Sequence, residues 1–337
     1  MKTFIQTVLF AAATLPLSFN LSPEMADAAQ VKTVTFESNG QTLVGDLYLP
    51  DNYTPGQVLP GVVVTGSWTS VKEQMAGLYA GELADRGFAA LAFDFRNFGQ
   101  SEGDIRGFES PEMKIQDIRA AAEFLPTLPE VADDKVGGLA ICASAGYMAH
   151  AIARSQPDRT PNPAPFESFV TIAPWFHNAE TARAIYTSER YDRLIEASQQ
   201  AAVDYAKDGT VQYTVAATND EDVDLAAMRW ADPNFYYTNP ERGAIPEYDN
   251  RFPVMAWEGW LTFDALAAAE GINVPFLMIH GDQMALPENA RAFYAEVEGP
   301  KSIEWLEGFQ MDYYDQPELV GNAADLAAGH FNQTLYE

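Results

Sequence analysis

Five short apolar runs constrain this chain more than anything else in it: GVVVTGS at 61–67, FAALAFDF at 88–95, KVGGLAIC at 135–142, FESFVTIAPW at 166–175 and VPFLMIHGD at 274–282. Runs of this length without polar alternation read as strands covered on both faces. Helical patterns separate them. VKEQMAGLYAGELADRG stops at Gly87, SPEMKIQDIRAAAEFLPTL has a proline in its first turn, and AGYMAHAIARS follows the third run directly. LPENARAFYAEVEG, the strand-like KSIEWLEG and a last helix from about Pro317 to Leu335 complete the series. In front of it, VKTVTFESNGQTLVGDLYLP alternates with period two around Asn39-Gly40, a hairpin signal. The expected fold class is α/β, a mostly parallel, doubly wound sheet led in by an antiparallel hairpin.

The βα rhythm breaks once. Roughly 100 residues separate Pro174 from Pro275, where a βα unit needs about 30. They hold helical stretches and then an aromatic-rich tract. The expected organisation is an export signal at 1–28 and one domain at 29–337 carrying an insertion at about 176–262. That insertion is either a helical decoration or a cap over the C-terminal edge of the sheet, where ligands bind in such folds.

Charge narrows the partners. Lys and Arg total 20 against 48 Asp and Glu, a formal charge of −28, which repels phosphate backbones and anionic headgroups, so no nucleic-acid partner is expected. At the N-terminus, Lys2, an apolar stretch from about Val8 to Leu17 and Ala26-Asp27-Ala28 form the pattern of a cleaved secretory signal. The apolar stretch is about half of the ~20 residues a membrane span needs. Secretion or a periplasmic location is expected, with no membrane anchor after cleavage. Cys142 is the only cysteine, so no intrachain disulfide can form. No phosphate loop, metal-ligand spacing or dinucleotide glycine pattern occurs, so neither a cofactor nor a metal is expected.

The chemistry concentrates where the third run meets its helix. A hydrolase nucleophile elbow, Gly-x-Ser-x-Gly, has as its counterpart here Cys142-Ala143-Ser144-Ala145-Gly146. The turn needs small residues two positions either side of the nucleophile, and cysteine is among the smaller ones. Ser144 is therefore the expected nucleophile, and Cys142, as the last strand residue, is expected to pack inertly in the core. Backbone N–H groups for an oxyanion are expected from Ala145 and from Ser67 or Trp68 in the turn after the first run.

GSWTSVKEQMAGLYAGELADRGFAALAFDFRNFGQSEG, AICASAGY, APWFHN, NRFPVMAWEGWLTFDA, IHGDQMALPENA and WLEGFQMDYYDQPE together resemble the branch of the α/β-hydrolase superfamily related to dienelactone hydrolases and fungal polyketide transferases. The resemblance spans nearly the whole chain after residue 28 and implies an α/β-hydrolase fold with serine-hydrolase or acyltransferase chemistry. It places the catalytic acid at Asp282, with Asp264 and Asp312 as weaker candidates. It places the base, normally a histidine after the last strand, at Gln310.

An amide cannot take a serine proton near neutral pH, so the four histidines are the alternatives. His150, His280 and His330 read as structural or surface residues. His177, just beyond the strand beside the nucleophile strand, is the tentative base or a substrate contact, against a structural reading as an anchor for the insertion. The expected activity is a secreted serine hydrolase acting on small apolar ester or acyl substrates, with Trp175, Trp257, Trp260 and Gln310 as pocket walls. A ligand-binding protein that has lost catalysis and an acyltransferase using the same serine remain alternatives.

Overall fold

In the computed structural model, which describes residues 29–153 and 165–336, one eight-stranded sheet forms the centre of the chain. The proposed signal at 1–28 lies outside the described residues. The strands are β1 (Gln30–Ser38), β2 (Gln41–Leu49), β3 (Leu59–Thr65), β4 (Ala89–Phe93), β5 (Val131–Ile141), β6 (Ser168–Ile172), β7 (Phe276–His280) and β8 (Lys301–Trp305). Their spatial order is β1-β2-β4-β3-β5-β6-β7-β8. Pairing is antiparallel for β1 with β2 and β2 with β4, and parallel everywhere else.

Burial follows the sequence pattern strand by strand. β3, β4, β6 and β7 are buried at every position, as strands covered by helices on both faces must be. β2 alternates instead, and β8 has no fully buried residue, as befits an edge strand. The hairpin between β1 and β2 turns on Asn39 (φ 48°) and Gly40 (φ 76°), two successive left-handed residues of the kind an Asn-Gly turn supplies.

The helices are α1 (Met75–Asp85), α2 (Pro111–Phe124), α3 (Ser144–Ile152), α4 (Ala179–Tyr186), α5 (Ser188–Asp208), α6 (Trp257–Thr262), α7 (Pro287–Glu296) and α8 (Pro317–Leu335). All nine residues of α3 are buried. A helix so enclosed fixes rigidly whatever precedes its first turn.

Between β6 and β7 the chain forms α4, α5, two-residue strand pairs and α6. α5 buries Tyr191, Leu194, Ser198 and Ala201, a stripe at three- and four-residue spacing. Ser198 in that stripe accepts from Glu258 N (3.0 Å) and donates to Met255 O (2.9 Å), which joins α5 to the segment leading into α6. Asn178 and Thr187 cap α4 and α5, and Gly209 ends α5 at φ 78°.

Sheet order decides where a site can form. From β3 the chain moves to β4 on one side, while β5, on the other side of β3, leads on to β6. At such a switch point the C-terminal ends of neighbouring strands diverge and leave a crevice. β3 and β5 pair through Thr65 opposite Ala140, so the turns leaving these strands emerge side by side.

Candidate active site

The turn between β5 and α3 has its apex at Cys142, whose φ is 59°. A non-glycine residue held there costs roughly 1–3 kcal/mol, and hydrogen bonds hold it. Cys142 N donates to Ile172 O at 3.2 Å, and Cys142 O accepts from Trp175 N at 2.9 Å and Ala145 N at 3.2 Å. A strained strand-to-helix apex is where an elbow presents its nucleophile. Two residues either side stand Ala140 and Ser144, both small. The elbow is thus Ala140-Ile141-Cys142-Ala143-Ser144, two residues earlier than the frame expected from the sequence.

Ser144 accordingly does not occupy the position expected for it. It is the first residue of α3 and 1% exposed, and its Oγ is surrounded by Thr65 Oγ1 (2.9 Å), Ile141 N (3.2 Å), Ile141 O (3.0 Å) and Thr65 O (3.1 Å). A hydroxyl so placed accepts from Thr65 and the Ile141 amide and donates to one of the two carbonyls. It ties β3 to the start of α3 and is absent from the cavity wall.

The donor set shifts with the apex. Around the Cys142 sulfur stand the Tyr314 hydroxyl, the backbone N–H groups of Ala143 and Trp68, and the Gln310 side chain, each of which favours the thiolate. The N–H that follows the apex is therefore that of Ala143, whereas Ala145 N–H is engaged by Cys142 O. Of the two residues expected from the turn after β3, Trp68 has its amide beside the sulfur, and Ser67 directs its own to Met75 Sδ at 3.5 Å. Gly66 permits this turn, because a Cβ there would sit 2.5 Å from Ser70 Oγ and 3.2 Å from Met75 Sδ. Ser67 Oγ hydrogen-bonds Tyr237 and Thr69 Oγ1 lies 3.1 Å from Tyr248 OH, so the turn is tied to the insertion by two hydroxyl pairs. Burial pushes the Cys142 thiol above its ordinary pKa, against the four hydrogen-bonding groups around it.

The opposite wall carries the positions to which the resemblance assigns the base and the acid. Gln310 occupies the place that the resemblance assigns to a base, with Oε1 accepting from Ala285 N (3.0 Å) and Nε2 donating to Ala173 O (2.7 Å) and Tyr314 OH (3.1 Å). Asp282 turns outward to Arg291 at 2.6 Å, and 72% of its side chain is exposed. It orients nothing at Cys142, because surface pairing with a cation satisfies it better than a buried place with no imidazole to face. Asp264 caps the turn at Leu266 and Ala267. Asp312 lines the cavity and lies 3.7 Å from Arg242.

Among the described residues, no histidine lines the cavity. His177 is 2% exposed, its Nε2 lies 2.8 Å from Trp260 O, and its ring lies 4.2 Å from that of Trp260. Facing a carbonyl, Nε2 carries the proton, while Nδ1 is buried without a partner. Burial lowers its pKa from 6.5 to about 4. His177 anchors the insertion by its side chain and by its carbonyl, which accepts from Ala265 N at 2.8 Å. It is not placed to take the proton of Cys142 or Ser144. His280 faces Ala285 O (3.0 Å) and stacks on Trp305, His150 faces Asp264 O (2.8 Å), and His330 reaches Pro275 O (3.4 Å).

Cys142 and Ala143 form the floor of a cavity of about 1020 Å³. Trp68, Trp175 and Trp260 wall it near the sulfur, together with Gln310, Tyr237 and Tyr314. Trp257, expected in the wall, is completely buried behind it with its indole N–H on Leu225 O. The insertion supplies the outer wall, including Arg190, Met228 and Phe235. Ile185, Trp230 and Phe309, exposed by 42%, 54% and 62%, form an apolar rim. Sequence reasoning missed Cys142, Ala143 and Tyr314. The small residues at 140 and 144 were a usable signal for the first two.

Comparison with known proteins agrees with this architecture. An uncharacterized protein of Pseudomonas aeruginosa, PA2218, is 30% identical over 310 residues, 90% of this chain and 81% of the relative. Its crystal structure superposes with a TM-score of 0.76, at 26% identity, over 97% of this chain and all of that one. The α/β hydrolase GrgF from Penicillium sp. sh18 shares the fold, with a TM-score of 0.75 at 17% identity over 91% of this chain and all of its own. The acyltransferase drtE of Aspergillus calidoustus is 23% identical over 73% of this chain and 78% of its own. The profile of the X-Pro dipeptidyl-peptidase (S15) family matches residues 39–309. With an α/β-hydrolase fold and a profile match over most of its length, the chain belongs to the S15 peptidase family, a hydrolase family.

Proposed function

We propose that this protein transfers acyl groups through a thioester on Cys142. One observation carries the reading: the strained strand-to-helix apex that lines the cavity carries a thiol, with the backbone N–H groups of Ala143 and Trp68 beside it. After the Cys142 thiol loses its proton to solvent, attack of the thiolate on an acyl carbonyl forms a carbon–sulfur bond and moves charge onto the carbonyl oxygen, where Ala143 N–H and Trp68 N–H stabilise it. Collapse of that intermediate breaks the bond to the leaving group and leaves acyl-Cys142.

The same geometry selects the substrate. Among the described residues no imidazole lines the cavity to protonate a departing amine or alkoxide, so leaving groups that depart as stable anions, such as phenolates and thiolates, are favoured over peptides. The aromatic walls and apolar rim suit an apolar acyl group. A cavity of about 1020 Å³ lies at the top of the usual ligand-pocket range of roughly 300–1,000 Å³, so that group need not be small. Water attacking acyl-Cys142 gains no general base either. Transfer to an amine or thiol acceptor is therefore favoured over hydrolysis, a reading in keeping with the likeness to an acyltransferase. The narrower kinship with dienelactone hydrolases rests on the sequence motifs alone. Export by the segment 1–28 places the reaction outside the cytoplasm in this reading, and among the described residues no helix is long and apolar enough to cross a membrane.

Intact-mass spectrometry after incubation with p-nitrophenyl acetate tests the proposal. A single added acetyl group that is absent in Cys142→Ala supports it, and a wild-type protein that remains unmodified overturns it. A second reading, a ligand-binding protein without turnover, is favoured by Gln310 at the base position. It predicts tight apolar-ligand binding with no acyl adduct at any pH.

A further inference from the structure

A buried ion pair near the elbow has no part in the chemistry above. Glu109, which precedes α2, is 1% exposed and lies 2.8 Å from Lys114 Nζ, itself 2% exposed. Phe95 and Phe98 cover the ammonium at 4.6 and 4.5 Å from their ring centres. Removing two charges from water is costly, and a well-packed apolar pair in their place is often as stable or more so. Stability alone does not account for this pair, so the remaining contacts of the carboxylate matter.

Each carboxylate oxygen reaches a different turn. Oε1 accepts from Tyr147 OH at 2.8 Å, on the first turns of α3 and four residues beyond Ala143. Oε2, shared with Lys114, accepts from Thr69 N at 3.3 Å, directly after Trp68. Thr69 has a φ of 61°, so this amide is held in a conformation that a threonine rarely adopts. One carboxylate therefore grips a neighbour of each oxyanion donor. We propose that Glu109, held in place by Lys114, is a positioning residue that sets the separation and aim of the Trp68 and Ala143 N–H groups. The proposal rests on the reading of Cys142 as nucleophile.

A preorganised oxyanion site depends on donors fixed before charge develops, and the loss of one donor costs roughly 10²–10³ in rate. Glu109→Gln keeps the shape but removes the charge that bonds Lys114, Tyr147 and Thr69 together. Because it also leaves Lys114 buried without a partner, a second variant, Glu109→Leu with Lys114→Met, replaces the pair by apolar groups of similar size. Two rates at Cys142 are compared in each protein by intact mass. Acylation by p-nitrophenyl acetate needs the oxyanion donors, and alkylation by iodoacetamide proceeds without an oxyanion.

The expected result is an acylation-to-alkylation ratio lower by roughly 10- to 100-fold in both variants, with Tyr147→Phe showing a smaller fall in the same direction. A purely structural role lowers the melting temperature, or both rates together, and leaves the ratio unmoved. If Glu109→Gln does not fold, the double variant decides. Ratios within twofold of wild type in the folded variants overturn the clamp while leaving Cys142 as nucleophile. A wild-type protein that is alkylated but never acylated overturns both.

Discussion

The two walls facing Cys142 have been treated very differently. The wall made by the ends of β3 and β5 carries a strained apex, a glycine-permitted turn and two amides beside the sulfur. The wall made by the ends of β7 and β8 keeps the backbone of an acid–base pair but not its groups, with Gln310 inside and Asp282 turned to solvent. Stabilising charge on a carbonyl oxygen and moving a proton are separable tasks, located here on separate strands. A thiol tolerates the loss of the second better than a hydroxyl does. Even with its pKa raised by burial, the Cys142 thiol gives up its proton far more readily than a serine hydroxyl does.

The sharpest way to break this contrast is at the apex. Cys142→Ala should abolish acyl adducts entirely, while Ser144→Ala should keep them and lower stability by about 1–2 kcal/mol through its lost hydrogen bonds. Adducts that follow Ser144 instead would reverse the assignment of the elbow. Next in size, Gly66→Ala should slow acylation by roughly 10²-fold, since a Cβ at 2.5 Å from Ser70 Oγ must push that hydroxyl off Ser67 O and so loosen the turn that carries the Trp68 amide. A rate within threefold of wild type would remove that turn from the oxyanion site.

The other wall gives smaller effects. In the wild type, the acylation rate should climb with pH through and beyond the ordinary thiol pKa of about 8.5, because burial raises that of Cys142. Gln310→His should add an inflection near pH 6.5 and a gain of roughly tenfold. That is well below the 10²–10⁴ of an oriented general base, because Asp282 is not there to orient it. An inflection near neutrality in the wild type would mean a base is already present. Asp282→Asn should change the rate by less than twofold and stability by about 0.5 kcal/mol or less, its partner being an exposed arginine.

A last test, of stability and not of acylation, concerns His177. Folding holds it neutral down to about pH 4, while the unfolded chain takes up a proton near 6.5. Its contribution is fully present above pH 6.5 and is lost as pH falls toward 4, about 3 kcal/mol over that window. Denaturant melts should show His177→Gln losing less stability than wild type between pH 6.5 and 4, with acylation at pH 8 unaltered. A parallel decline in both proteins would place an acceptor or solvent at Nδ1.

How legible was this in the sequence? The sheet was, because buried parallel strands and an alternating hairpin leave different apolar patterns, and residues 61–67 and 30–49 show each clearly. The elbow was legible as a place but not in register. Frames 140–144 and 142–146 both put small residues around a nucleophile, and backbone conformation alone separates them: φ is positive at Cys142, and α3 begins at Ser144. Asp282 stands in a turn after β7, but side-chain direction in a turn is set by partners such as Arg291, nine residues away on α7. His177 neighbours the right strand, yet its ring was claimed by Trp260, which only the folded insertion brings near.

Ser67 and Thr69 each hand a hydroxyl to a tyrosine of the insertion. Lifting that segment to admit a bulky guest would tug on the strip of backbone that must later meet the carbonyl oxygen. Admission and reactivity are thus geared together, and a change that widens the doorway will be felt as a dulled trap beneath it.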